Sequence, residues 1–214
     1  IDERWKDWGL PPKTNGNFAW MSHINHHCKK NLDRFGVIFS NGTLSNKASA
    51  SLRKEMIVQD QVLAVLALPS QLFTNTAIPS AIWFIGKKNE LQQDKTLFID
   101  ARKRGDLRED SRTLKELSPD DVNAIVEQFL LWLEHPDQYQ PIQGEHNVVL
   151  IDEILHRNEN IYCNPGRFIE SDEMDENVKE EDVVDMLLEI ETLQKEINDL
   201  HESIRSSFPD TYEG

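Results

Sequence analysis

The chain has 214 residues, 38% apolar and 29% charged, enough to bury the core of one or two domains. No run of about 18 uncharged apolar residues occurs, and the opening Ile1-Asp2-Glu3-Arg4-Trp5 has neither a basic nor an apolar export region, so no membrane span and no secretion are expected. The two cysteines, Cys28 and Cys163, are then expected as reduced thiols of a cytoplasmic protein, and a chain that opens on Ile rather than Met reads as a portion of something longer.

Residues 1–16 are polar and punctuated by Gly9, Pro11-Pro12 and Gly16, a loop. Asn17 is placed to cap a helix over about 18–30, where Trp20, Met21, Ile24 and Cys28 fall at helical spacing. Gly36 opens the short apolar run Val37-Ile38-Phe39, expected as a buried strand, which the turn signal Ser40-Asn41-Gly42 closes. Ser51 precedes a charged amphipathic helix over about 51–58. Two near-continuous apolar runs follow, Gln61 to Leu68, stopped by Pro69, and Ala81 to Ile85 after Pro79. Strands of this kind separated by helices indicate an α/β fold with the sheet covered on both faces. The ten or so residues between these two runs are too few for a helical crossover, so they should pair antiparallel.

Thr96-Leu97-Phe98-Ile99-Asp100 is a further strand, followed by a charged stretch from Arg102 to Glu116. Ser118-Pro119-Asp120-Asp121 then combines a cap, a first-turn proline and acids at the positive end of the helix dipole. The helix it starts should bury Val122, Ile125, Val126, Phe129, Leu130 and Leu133 and stop at Pro136. Val148-Val149-Leu150 is a last strand, Asp152 caps a short helix to His156, and Asn164-Pro165-Gly166 turns the chain.

The charge is concentrated beyond that turn. Residues 1–169 hold 20 Lys+Arg against 22 Asp+Glu, whereas residues 170–214 hold 3 against 16, so most of the net charge of −15 lies in the tail. Such a tail is a solvated or partner-facing appendage, and it repels a phosphate backbone. Within it Val183, Met186, Ile190, Leu193, Ile197, Leu200 and Ile204 alternate in steps of three and four, a heptad seam about three repeats long. The seam suits a partner-facing or antiparallel helical pair, and one long helix packed on its own domain would show the same pattern.

Few constellations point to chemistry. His23 and His27 stand four apart on one helix face, as a metal pair would, but no third ligand follows at a recognisable spacing, which favours exposed imidazoles. The scattered glycines form no phosphate-cradling loop. Arg102, Lys103 and Arg104, with Arg108 and Arg112, form a basic cluster interleaved with acids, a solvated loop by composition and a weak candidate for DNA phosphate contact. The loop from Pro69 to Pro79 sets Phe73, Thr74, Asn75 and Thr76 between two buried strands, where composition alone would tuck Phe73 under its own hairpin.

Several segments in order carry a resemblance: Asn17-Phe18-Ala19-Trp20, Gly36 to Gly42, Leu52-Arg53-Lys54, Leu68-Pro69-Ser70-Gln71-Leu72-Phe73-Thr74-Asn75-Thr76-Ala77-Ile78-Pro79, Leu97 to Ala101, and Asn164-Pro165-Gly166-Arg167-Phe168. Together they resemble the C-terminal half of the modification subunit of type I restriction-modification systems, adenine-N6 DNA methyltransferases. The resemblance covers nearly the whole chain. It implies the C-terminal part of a Rossmann-like class I methyltransferase sheet, its last three strands, over residues 1–116. A helical or mixed extension (117–170) and an acidic, coiled-coil-like helix (171–214) would follow.

In such enzymes S-adenosylmethionine binds at earlier strands through a glycine-bearing loop, and an Asn-Pro-Pro-aromatic motif holds the flipped adenine. Pro11-Pro12 is preceded by Leu10, and Asn164-Pro165 lacks the second proline and the aromatic, so neither is that motif. The resemblance therefore implies no catalytic and no cofactor residues within the chain, and it assigns Phe73, Thr76 and Pro79 to the wall of the target-base pocket. It further implies DNA, a specificity subunit and a restriction subunit as partners, with the seam from Val183 to Ile204 as the subunit contact. A second reading is a non-enzymatic acidic α/β adaptor that assembles partners through its coiled coil.

Overall fold

The run after Gln61 becomes the middle of a sheet because each of its six strand residues is buried, on alternate faces. The computed structural model describes residues 2–28, 34–74, 76–157 and 159–169, all within one unit, Ile1–Asp172. In chain order these form α1 (Asn17–Cys28), β1 (Arg34–Ser40), α2 (Ala50–Val58), β2 (Val62–Ala67), β3 (Ser80–Gly86), β4 (Lys95–Asp100), β5 (Asp106–Leu107), β6 (Lys115–Glu116), α3 (Pro119–Glu134), β7 (His146–Leu150) and α4 (Ile151–Arg157).

Five strands make one mixed sheet in the order β1-β3-β2-β4-β7, and β5 and β6 form a separate small hairpin. The short connection between β2 and β3 does produce antiparallel pairing, with Ala67 opposite Ala81. Strand β3 also pairs antiparallel with β1, so it lies between two strands that run the same way. Only β2 and β4 pair in parallel, Ala67 beside Asp100, and β7 closes the other side antiparallel to β4. The segment after residue 117 thus contributes a strand to the same sheet.

Both faces are covered, as the apolar runs require. Phe18, Met21, Leu52, Met56 and Ile154, from α1, α2 and α4, pack with Val65, Trp83 and Phe98 of the sheet. On the other face Ile125, Phe129 and Trp132 of α3 pack over Ala64, Leu66, Phe84, Leu97 and Ile99. Trp83 and Phe98 are fully buried, each removing apolar surface worth about 2–3 kcal/mol. The side-chain N–H of each buried tryptophan is satisfied: Trp8 Nε1 donates to Gln61 Oε1 at 2.8 Å, Trp83 Nε1 to Thr43 Oγ1 at 3.0 Å and Trp132 Nε1 to the Leu63 carbonyl at 3.2 Å.

Several local expectations move. Asn17 is the first helical residue rather than the cap, and the Asn15 side chain accepts its N–H. Ser118 caps α3 as expected, and Asp121 bonds back to it, which completes a capping box. Asp152 lies inside the first turn of α4 rather than at its cap. Strand β1 is not buried: it is an edge strand with only Phe35, Val37 and Phe39 against the core, leaving Ile38 52% exposed. The stripe of α3 divides, because a straight helix on a sheet buries one narrow face. Ile125, Phe129 and Trp132 face the sheet, whereas Val122, Val126 and Leu130 are exposed. The heptad positions from Val183 to Ile204 lie outside the described residues. No helix among the described residues is long and apolar enough to cross a membrane.

Candidate functional site

The carboxyl ends of β1, β2 and β4 gather at one end of the sheet, which is where open α/β sheets present their ligand crevices. Ala101 N–H donates to the Ala67 carbonyl at 2.9 Å and Asn41 N–H to the Pro79 carbonyl at 2.8 Å, so the loop from Pro69 to Pro79 is pinned between the ends of β1 and β4. Leu72 anchors that loop in the core beneath α3, and Gln71 takes up a left-handed conformation (φ 65°) while its carbonyl accepts the Lys115 N–H of β6. Phe73 is 42% exposed instead of tucked under its hairpin, and its carbonyl accepts the Thr76 N–H across a single bridge. Thr76 is exposed, its hydroxyl accepting the Ile78 N–H at 3.1 Å, and Pro79 is half-buried. The structure therefore brings Phe73, Thr76 and Pro79 into one loop, with the aromatic free to meet a planar ligand.

The basic cluster does not form one patch. Arg102 lies at the same sheet end, forked onto the Asp100 carboxylate at 2.6 Å, which raises the guanidinium pKa further. Arg104 turns away, pairing with Asp121 of α3 and with Glu145 just before β7. Arg108 is held by Asp110 and Glu116 in the β5–β6 hairpin. Lys103 also has a partner. The interleaved acids thus neutralise most of the cluster locally.

Three residues that sequence reading did not single out organise this end. Arg53 reads as a solvated charge on an amphipathic helix, yet it is fully buried. It donates to the carbonyls of Ile161 at 2.7 Å, Asn160 at 2.8 Å and Thr43 at 3.1 Å. Burial pulls its pKa down, and no carboxylate faces it among those partners. Lys47 and Arg167 are exposed cations brought together from distant segments by that tie. With Arg102, Ser45, Tyr162 and Asn164 they line a hollow of about 540 Å³.

Elsewhere, His146 lines a smaller hollow of about 220 Å³ beside α3. Its ring accepts or donates to the Tyr139 hydroxyl, and burial lowers its pKa, with Arg104 lowering and Glu145 raising it less. The rings of His23 and His27 lie 4.2 Å apart, tilted by 39°, and no group of three metal-binding side chains occurs among the described residues.

The family model for N-6 DNA methylases matches residues 1–177. The chain belongs to the N-6 DNA methylase family. Among curated relatives it is 34% identical over 178 residues to the type I restriction enzyme HindI methylase subunit of Haemophilus influenzae, covering 82% of this chain and 38% of that protein. It is 31% identical over 163 residues to the MjaIX methylase subunit of Methanocaldococcus jannaschii, covering 75% of this chain and 28% of that one. The chain thus spans about a third of the length of these relatives. The fold of this N-6 DNA methylase chain is shared with the type I restriction-modification methyltransferase subunit of Streptococcus thermophilus, at TM-score 0.65 and 22% identity over 78% of this chain and 33% of that one. It is shared too with the EcoKI M protein, at TM-score 0.53 and 12% identity over 72% of this chain and 38% of that one.

The methyl donor of this family is S-adenosylmethionine, and the residues described do not fit it. Its sulfonium wants an unpaired carboxylate or aromatic wall. Two hollows carry cations that would repel it: one sets Lys87 and Lys88 beside an Asp60 that Lys88 already occupies, with Phe35 as its aromatic, and the other sets Lys47, Arg102 and Arg167 around a Tyr162 whose ring Arg167 already covers.

Proposed function

We propose that this chain is the C-terminal half of an adenine-specific N6 DNA methyltransferase subunit of a type I restriction-modification system. It supplies one wall of the target-base pocket and has no activity on its own. Residues 1–116 supply the end of the catalytic sheet, residues 117–170 an extension, and residues 171–214 the helix that meets the DNA-reading specificity subunit. S-adenosylmethionine binds to the part of the subunit that precedes this chain, and a restriction subunit completes the assembly.

The observation that carries the reading is Phe73. It is an exposed aromatic at the tip of an anchored loop, at the sheet end where α/β folds bind ligands, flanked by Thr76 and Pro79. A flipped base stacks on such a ring for about 1–3 kcal/mol. Among the described residues no strand covers the outer edge of β1, with Ile38 bare beside it, which supports further strands docking there. The adaptor reading rests on the heptad seam alone, which lies outside the described residues.

The test is Phe73→Ala in the full-length subunit with its partners, read by methylation rate and by fluorescence of 2-aminopurine at the target adenine. Loss of stacking predicts roughly a 5- to 150-fold weaker population of the flipped state. Unchanged flipping and methylation would remove Phe73 from the pocket.

A further inference from the structure

The hollow lined by Arg102, at the same sheet end as the Phe73 loop, has a chemistry of its own. Lys47, Arg102 and Arg167 face it, and only Arg102 has a carboxylate partner among the described residues, so the three cations meet one anion, Asp100. The Arg167 guanidinium lies over the Tyr162 ring at 4.9 Å, which holds it in place without neutralising it. Gly166 explains how Arg102 reaches the hollow. A Cβ at position 166 would stand 2.5 Å from Arg102 Nη2, so any larger residue there moves the exposed Arg102 head from its present place across the turn. The side-chain oxygen of Asn164 is buried at the hollow's wall with no hydrogen-bond partner among the described residues. That oxygen only accepts, so it would bond a water that bridges to an anionic ligand and not the anion itself. Arg53 ties the two sides together, its bonds running to Thr43 just before Ser45 and Lys47 and to Asn160 and Ile161 just before Tyr162 and Asn164.

We propose that Lys47, Arg102 and Arg167 form a binding site for a backbone phosphodiester of the DNA substrate, at the sheet end that carries the Phe73 loop. The placement deepens the function proposed above and rests on it. A base can enter a pocket only if its strand is held beside that pocket, and a fixed cationic hollow at the same sheet end provides that hold without reading sequence. The neighbouring cations Arg104 and Arg108, already paired, take no part.

The test measures duplex DNA affinity of the assembled full-length complex against salt, for the wild type, Lys47→Gln, Arg167→Gln, Gly166→Ala and Arg108→Gln. Each lost phosphate contact lowers the slope of log affinity against log salt by about 0.9, so between 50 and 200 mM salt the affinity loss shrinks by about 3.5-fold per contact. The slope should fall in Lys47→Gln, in Arg167→Gln and, through the displaced Arg102 head, in Gly166→Ala, and stay in Arg108→Gln. Unchanged slopes in the first three overturn the site. A melting temperature raised by inorganic phosphate in the wild type but not in Arg167→Gln, with unchanged DNA slopes, would mark a free-phosphate site and overturns it as well. Phe73→Ala alters base flipping and not the slope, so failure of the base-pocket reading shows separately, while a wild-type complex that binds no DNA refutes both.

Discussion

Arg53→Met is the substitution whose cost the structure predicts most directly. The side chain is fully buried, and its guanidinium satisfies three carbonyls drawn from two segments. Methionine keeps the apolar stem and removes every donor. Each buried carbonyl left unpaired costs about 1–3 kcal/mol, and the one at Asn160, only part-buried, recovers part of that from water. The sum is about 3–5 kcal/mol, a large share of the 5–15 kcal/mol that typically separates folded from unfolded chains. Arg53→Lys, whose ammonium reaches one or two of the carbonyls, should cost about half as much. Urea unfolding of the chain measures the loss, and the midpoint of thermal unfolding should fall by roughly 6–20 °C. Hydrogen exchange localises it: the Cys163 N–H, bonded to the Leu44 carbonyl at 2.9 Å, should lose protection before the strands do. A cost below about 1 kcal/mol with Cys163 protection intact would refute the argument, because it would mean that the carbonyls find other donors.

Two further outcomes follow from local chemistry. Burial holds His146 neutral in the folded chain, with its pKa below the ordinary 6.5, so the unfolded chain binds the extra proton as pH falls through that value. Stability should therefore rise with pH from the lowered folded pKa up to about 6.5 and level off above it. His146→Gln should flatten that dependence in urea titrations at pH 5 to 7, and an unaltered slope would show that the ring titrates freely. Ser118→Ala breaks the capping box of α3 and should cost about 1 kcal/mol in the same assay, partly restored by Ser118→Asp.

The strands from Val62 to Asp100 are legible in the sequence because burial on both faces leaves apolar runs that few other structures produce. The antiparallel pairing of β2 and β3 is legible from loop length, and the start of α3 from its capping residues. What escapes sequence reading has tertiary causes. The run Val37-Ile38-Phe39 looks like a buried strand, but its position in the sheet decides how much of it is covered. The strands β5 and β6 are two residues each, too short for any alternation to show. At the site, the loop around Phe73 is visible as an aromatic between strands, and its exposure depends on Leu72, not Phe73, being the side chain that packs on the core. Lys47 and Arg167 carry no local signal at all, since 120 positions of chain separate them before the fold brings them to one hollow.

The tie made by Arg53 is directed entirely at main-chain oxygens. Every amino acid carries that oxygen, so the side chains at positions 43, 160 and 161 can drift over evolutionary time without loosening it, while position 53 stays constrained. Correlated substitution, the usual statistical trace of two residues in contact, then has nothing to record at this junction. A link that joins segments more than a hundred residues apart would leave only a solitary invariant arginine as its signature.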